Sequence, residues 1–186
     1  MDAVFQAILA AHPEAVLLLK ELPYTASVGK QVLQRMSRTM SASEIARVVM
    51  LPPLSAEDYL GVQALIDVTL DSFPFGGHTT TMDALAAHSP VVTLPHTLAA
   101  GRGSLAFLTA LQLPHLIASD VAHYVTIALS LGRNDTYRLQ QRDAVRQRLR
   151  LLTEDTTSID AWAQMLETRV RGDPLEFQAL LAPLSS

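Results

Sequence analysis

The sequence predicts an α/β fold, a doubly wound parallel sheet with extra helices at its C-terminal end. Three features of the chain predict it. Short apolar runs bounded by turn residues recur at residues 15–19, 47–51, 68–70 and 90–94, each the length of a buried strand. Stretches with apolar residues at helical spacing separate them. Beyond residue 118 the strand signal stops and only helical patterns continue. Strands that alternate with helices build parallel β-α units, and ligands of such sheets bind beyond the carboxyl ends of the strands.

Residues 3–11 carry Val4, Ile8 and Ala11 at helical spacing, and His12-Pro13 ends that helix. The run Ala-Val-Leu-Leu-Leu at 15–19 follows as a strand between Pro13 and Pro23. Residues 28–40 are helical, with Val32, Leu33 and Met36 on one face, and residues 43–46 form a short continuation or turn. Residues 47–51 make the second strand, stopped by Pro52-Pro53. Ser55, with Asp58 three residues on, resembles a capping box with Asp in the acid position and opens a helix to about residue 65. A third strand at 68–70 leads into a glycine turn and a helix to about residue 87. A fourth strand at 90–94, a helix at 98–111 and a short fifth strand at 116–118 follow. Ser119 or Asp120 then caps a helix over 121–131, which Gly132 ends. Asp135 caps a basic helix to about residue 152, and Ser158 or Asp160 opens another to residue 170. Gly172-Asp173-Pro174 breaks it before a short helix at 175–181, so residues 1–170 read as the lobe and 171–186 as a tail.

At 186 residues the chain fits one domain with a sizeable core. Its 49% hydrophobic and 17% charged residues exclude a disordered chain. A net charge of −4 offers no basic footprint for nucleic acid. There is no cysteine, which excludes disulfides and thiolate metal sites. No apolar run reaches the roughly 18 residues of a membrane span. The start of the chain lacks a basic segment and carries Asp2, which argues against a signal peptide. The expected compartment is the cytoplasm or the nucleus.

The most informative stretch runs from Asp67 to Leu85. It reads as a buried strand, the turn Gly76-Gly77, and a helix whose first turn carries the hydroxyls of Thr79, Thr80 and Thr81. The start of such a helix aims backbone N–H groups and a positive partial charge at one point, where a phosphate fits. Asp83 lies one turn further on, and a carboxylate there can accept both hydroxyls of a ribose. The blander readings are a helix cap for the threonines, a structural histidine for His78 and a dipole-complementing acid for Asp83. His88, His96, His115 and His123 show no metal-ligand spacing and read as structural or exposed. Arg138, Arg142 and Arg146 form a basic helical stripe read as a solvated face, and Trp162, Met165 and Leu166 an apolar face read as packing surface.

The series Gly76-Gly-His-Thr-Thr-Thr-Met-Asp-Ala-Leu85, then Ser89-Pro-Val-Val-Thr-Leu-Pro95, resembles the C-terminal lobe of the O-GlcNAc transferase and SPINDLY glycosyltransferases. Arg47-Val-Val-Met50 is similar to the preceding family strand, and Ile117-Ala-Ser-Asp120 and Gly132-Arg-Asn-Asp135 to its downstream segments. The resemblance runs from about residue 3 to about residue 170. It implies a GT-B architecture, two Rossmann-like lobes facing across a cleft, with this lobe holding a nucleotide-sugar donor. That donor would be UDP-GlcNAc, or GDP-fucose in some relatives, with no metal. Carried over by position, His78, Thr79 and Thr80 would meet the diphosphate, Asp83 the ribose, and the backbone around Leu54 the base edge. Transfer to Ser or Thr of a protein acceptor would need the facing lobe, so no catalytic residue is assigned here.

The sequence departs from that pattern in two places. The family lobe begins with a strand whose following loop supplies a lysine to the diphosphate. That strand has no counterpart here, and neither Lys20 nor Lys30 aligns with the lysine. The strands that would flank it are expected to expose unpaired edges, which favours oligomerisation or strand replacement. On the helix from Ser55 the basic residues of the animal enzymes are replaced by Ala56, Tyr59 and Val62, of which Tyr59 could stack on a base or ribose. An inactive interaction module that keeps the fold, or a truncated fragment, is therefore the alternative to a donor-binding half. Gly101-Arg102-Gly103 is too short for a phosphate loop, although Arg102 lies where the family often has a cleft arginine.

Overall fold

A computed structural model describes residues 1–21 and 26–171. The chain divides into two compact units, Met1–Leu149 and Arg150–Ser186. In the first, α1 (Asp2–Ala11) precedes β1 (Leu17–Lys20), α2 (Ala26–Met36), α3 (Ala42–Ile45) and β2 (Val48–Leu51). Then come α4 (Ala56–Leu65), β3 (Thr69–Leu70), α5 (Thr79–Ala86), β4 (Val91–Val92), α6 (Gly103–Ala110), α7 (Val121–Arg133) and α8 (Asp135–Arg148). In the second unit, α9 (Arg150–Thr153) precedes α10 (Thr157–Arg171), on which Trp162 and Leu166 are exposed. The helix predicted at 175–181 lies outside the described residues.

The fold is α/β with parallel strands, as expected. β1 pairs with β2 in register Leu17↔Val48 to Lys20↔Leu51, and β3 pairs with β4 in register Thr69↔Val91. Two apolar clusters hold these pairs. Leu9, Met36, Met40 and Val48 pack under the first, together with partly buried Phe5, Val32 and Leu33. Under the second, Leu85, Val91, Val92, Leu108, Leu131 and Val145 are fully buried. α1 packs on α7 and joins the two halves. The His12 ring faces the carbonyl of Gly132, and Arg133 donates to the carbonyl of Ala11.

Several elements differ from the sequence reading, each for a local reason. The fifth strand shrinks to a single parallel bridge between Thr93 and Ile117. The helix expected over 98–111 is broken: a 3₁₀ turn at Ala99–Gly101 precedes α6. A Cβ on Gly101 would collide with the Pro74 carbonyl oxygen, so this turn presses directly on the loop before the glycine pair. Gly132 does not end α7, which runs on to Arg133. The helix tolerates that glycine where the His12 ring comes within 3.5 Å of the Cβ position. Asn134, not Asp135, caps α8 through its side chain. α2 stops at Met36, and a turn brings Met40 into the core. The segment expected at 43–46 as a continuation or turn is a separate helix, α3, opened by a full capping box of Ser41 and Glu44. At α4, Ser55 accepts the Asp58 N–H, while the Asp58 carboxylate takes the Ser55 hydroxyl.

The arginines are builders rather than a solvated stripe. Arg138 donates to the carbonyls of Leu131 and Gly132 and pairs with Asp67 at 3.0 Å and Asp135 at 2.9 Å. Arg142 reaches the carbonyls of Ala64 and Ile66 and so satisfies the end of α4. Of the three, only Arg146 follows the expectation, being exposed and paired with Asp143. Arg47 does the same work at the other end of the lobe, donating to the carbonyls of Leu9, His12 and Ala15 at 2.7–2.9 Å. Replacing Arg47 by alanine is expected to lower stability by about 2 kcal/mol, because hydrogen bonds from a charged donor contribute more than neutral ones. The loss should read as a lower urea midpoint at unchanged slope.

Candidate functional site

The glycine turn is held from below by one buried carboxylate. Asp71, just past the end of β3, accepts the Gly77 N–H at 2.6 Å and the Thr93 hydroxyl at 2.7 Å. Its own carbonyl accepts the Tyr124 hydroxyl at 2.8 Å. Burial, with the negative charge of Asp71 adding, pushes the Tyr124 phenol far above its ordinary range, so it stays a donor. The Tyr124 ring meets Phe73 edge-on at 5.5 Å. The turn is thus tied to β3, β4 and α7 at once.

Gly77 is required by space. A Cβ there would stand 2.6 Å from the Thr81 hydroxyl and 2.7 Å from that of Thr80. A Cβ on Gly103 would be equally close to the Gly77 carbonyl, at 2.7 Å, so α6 abuts the same turn. Ser104 on α6 bonds the Thr81 hydroxyl at 2.8 Å. Thr81 is therefore a buried structural hydroxyl, whereas Thr79 and Thr80 are exposed.

His78 occupies the N-cap of α5, and no side chain makes a capping bond there. The threonine run is not a cap. The first N–H groups of a helix have no partner within it, and here they open beside two exposed hydroxyls. The His78 ring is fixed by an edge contact with Phe107 at 5.0 Å. Asp83 is half-buried on α5, and α4 packs against that helix. Tyr59 on α4 accepts a bond from the Gln63 amide, whose oxygen takes the Thr69 hydroxyl. Burial raises the Tyr59 phenol above its ordinary value, against the Gln63 bond, and the Asp83 charge adds to the rise. Tyr59 and Asp83 thus share one electrostatic neighbourhood. Leu54 lies in the loop between β2 and α4, half-buried. Among the described residues, no hydrogen bond or ring contact joins it to the glycine turn.

Sequence reasoning missed two participants. Asp71 gave no signal beyond being an acid after a strand. Lys20, which does not align with the family lysine, sits at the carboxyl end of β1 with its Nζ 4.0 Å above the Tyr59 ring. One face of that ring is therefore taken. Arg102 is exposed and donates to the His96 carbonyl. Among the described residues, no three His, Cys, Asp or Glu side chains gather as a metal site, and no helix is long and apolar enough to cross a membrane.

Parallel β-α units with a helix that starts just beyond a strand end define a Rossmann-like class of lobe. The comparisons agree with that class and narrow it. Residues 2–160 match the profile of Glycosyl transferase family 41. The chain is 32% identical over 136 residues to a probable UDP-N-acetylglucosamine–peptide N-acetylglucosaminyltransferase SPINDLY of Arabidopsis thaliana, covering 72% of this chain and 15% of that protein. It is 31% identical over 140 residues to the UDP-N-acetylglucosamine–peptide N-acetylglucosaminyltransferase of Caenorhabditis elegans, covering 74% of this chain and 12% of that one. A solved mutant of the Thermobaculum terrenum O-GlcNAc transferase superposes with a TM-score of 0.80 at 28% identity, over 98% of this chain and 34% of its own. The chain belongs to glycosyltransferase family 41 and corresponds to the C-terminal lobe of the O-GlcNAc transferase group. It spans about a seventh of the length of these two relatives and a third of the solved one.

Proposed function

We propose that this chain is the donor-binding half of a protein O-GlcNAc transferase-like glycosyltransferase, with a UDP-sugar, foremost UDP-GlcNAc, as its ligand. The observation that carries the reading is the uncapped start of α5, with exposed Thr79 and Thr80 beside a glycine turn locked by Asp71. His78, Thr79, Thr80 and the free amides of α5 hold the diphosphate, and Asp83 takes the ribose diol. Tyr59 offers its ring to the base or ribose, and the backbone at Leu54 meets the base edge. Lys20 stands in for part of the missing positive charge. No metal takes part. As the bond to the sugar breaks, charge develops on the leaving diphosphate, and the same donors stabilise it. A facing lobe supplies the protein acceptor groove, so the chain by itself binds donor without turning it over. The setting is cytoplasmic or nuclear.

Calorimetric titration of the folded chain with UDP, UDP-GlcNAc and GDP-fucose tests this. Binding of a uridine compound is expected, with Asp83→Ala weakening UDP at least about tenfold through loss of charge-assisted bonds. Inorganic pyrophosphate, which has no ribose, should bind that variant and the parent alike. No heat from any of the three nucleotides at millimolar concentration, with the fold verified by circular dichroism, would sink the reading.

A further inference from the structure

We infer that Tyr59 reads an alcohol of the ligand: its phenol O–H donates to a ribose oxygen whose own proton goes to Asp83. The inference deepens the nucleotide-sugar reading and rests on it.

A chain of hydrogen bonds runs from the core to Tyr59 and sets the direction of its proton. Thr69 on β3 donates its hydroxyl to the Gln63 side-chain oxygen at 3.0 Å. A hydroxyl has a single proton to give, so Ser89 is the donor in its 3.0 Å bond with Thr69. The Gln63 amide nitrogen can only donate, and it gives a proton to the Tyr59 oxygen at 2.8 Å. Every donor in the chain points the same way, outward from Ser89. The inner members are held in that order by burial, Ser89 fully and Gln63 at 6% exposure. Breaking either Gln63 bond would leave a buried polar atom unmatched. Tyr59 therefore receives a proton on its oxygen and keeps its own for a partner outside the chain. Among the described residues, no hydrogen bond uses that proton. Lys20 meets the ring, with its Nζ 4.0 Å from the centroid, and makes no hydrogen bond to the hydroxyl. The phenol also stays protonated, because burial raises it above its ordinary value and the Asp83 charge adds to the rise, against the Gln63 bond.

The group that faces Tyr59 specifies the partner. α4 packs against α5, which carries Asp83, and the Asp83 charge is felt at the phenol. No hydrogen bond joins the two side chains among the described residues. A carboxylate only accepts, and this phenol is left only to donate. One group that satisfies both must accept from Tyr59 and donate to Asp83. An alcohol does both, whereas a carbonyl or an ionised phosphate oxygen only accepts. UDP carries its alcohols on the ribose alone, which places the Tyr59 contact on that diol and not on the base.

Calorimetric titration of Tyr59→Phe and the parent chain with UDP, 2′-deoxy-UDP, 3′-deoxy-UDP and pyrophosphate tests the assignment. The variant is expected to weaken UDP about fivefold, the loss of one hydrogen bond, and to leave pyrophosphate within about twofold of the parent. The loss should vanish for one deoxy analogue, the one that lacks the oxygen Tyr59 meets. Gln63→Glu checks the direction of the chain. Its carboxylate accepts from Thr69 and from Tyr59 alike, which turns the phenol proton inward with the ring still in place. That variant should copy Tyr59→Phe, with weaker UDP and little change in pyrophosphate. Should it fail to fold by circular dichroism, Tyr59→Phe and the analogues decide alone. UDP bound by Tyr59→Phe as by the parent, or a loss that persists with both deoxy analogues, overturns the inference and leaves the diphosphate site standing. A loss shared equally by pyrophosphate overturns it too, since a merely structural tyrosine would act on the whole site. A folded parent that binds neither UDP nor pyrophosphate removes the site and the inference together.

Discussion

Gly77→Ala is expected to abolish measurable diphosphate binding while leaving a folded lobe. The added Cβ would stand 2.6–2.7 Å from the hydroxyls of Thr81 and Thr80 and 3.2 Å from the Asp71 carboxylate. Those atoms cannot all withdraw. Thr81 is buried and bonded to Ser104, and Asp71 accepts the N–H of the same residue that would carry the new side chain. Only Thr80, exposed at the start of α5, is free to rotate, and it is one of the proposed phosphate donors. Overpacking of this kind typically costs about 1–3 kcal/mol. The strain should appear as displacement of the first turn of α5, the turn that presents the amides. The measurement is pyrophosphate and UDP titration of the variant beside a thermal melt. Binding within about twofold of the parent would show that the turn is not the cradle, since a shift of only a few tenths of an ångström loosens charge-assisted bonds.

Much of this lobe is legible in the chain itself because its signals are local. The apolar runs between prolines are strands because a buried parallel strand needs no alternation. The Gly-Gly turn before Thr79 is recognisable because close backbone packing leaves few alternatives to glycine. What sequence patterns did not disclose depends on distant partners. Arg138 and Arg142 look like a solvated stripe on α8, yet Arg142 closes the end of α4, 76 and 78 residues away in the chain. Helical periodicity runs straight through Gly101 and Gly103, but the Pro74 carbonyl packs against the first and the Gly77 carbonyl against the second, and the helix breaks there. Conversely, Gly132 looks like a terminator and is not one. It sits one residue from the end of α7, where a glycine costs little, and the ring of His12 on the α1 side packs against it. Asp71 is the clearest case, because its partners lie 6 and 22 residues on and no periodicity encodes them.

That buried acid sets the second large expectation. Asp71→Ala should destabilise the chain by about 3 kcal/mol and weaken UDP and pyrophosphate together, whereas Asp71→Asn should do much less of either. The alanine variant leaves the Gly77 N–H and the buried Thr93 hydroxyl without acceptors, and each abandoned donor costs about 1–3 kcal/mol. The asparagine variant can keep its carbonyl oxygen toward Gly77 and turn its amide to Thr93, whose hydroxyl rotates to accept. The contrast separates two roles for the acid. If Asp71 acts by holding the turn, stability and anion binding fall together in Ala and are both largely rescued in Asn. If its charge instead opposed the bound phosphate, removal of that charge would tighten pyrophosphate in Asn. Urea denaturation paired with pyrophosphate titration of the two variants decides between them, and tighter binding by Asp71→Asn at unchanged stability would refute the positioning role. The geometry favours positioning: both carboxylate oxygens already accept bonds on the buried side of the turn, while the amides of α5 begin two residues beyond Gly77, next to the exposed hydroxyls of Thr79 and Thr80.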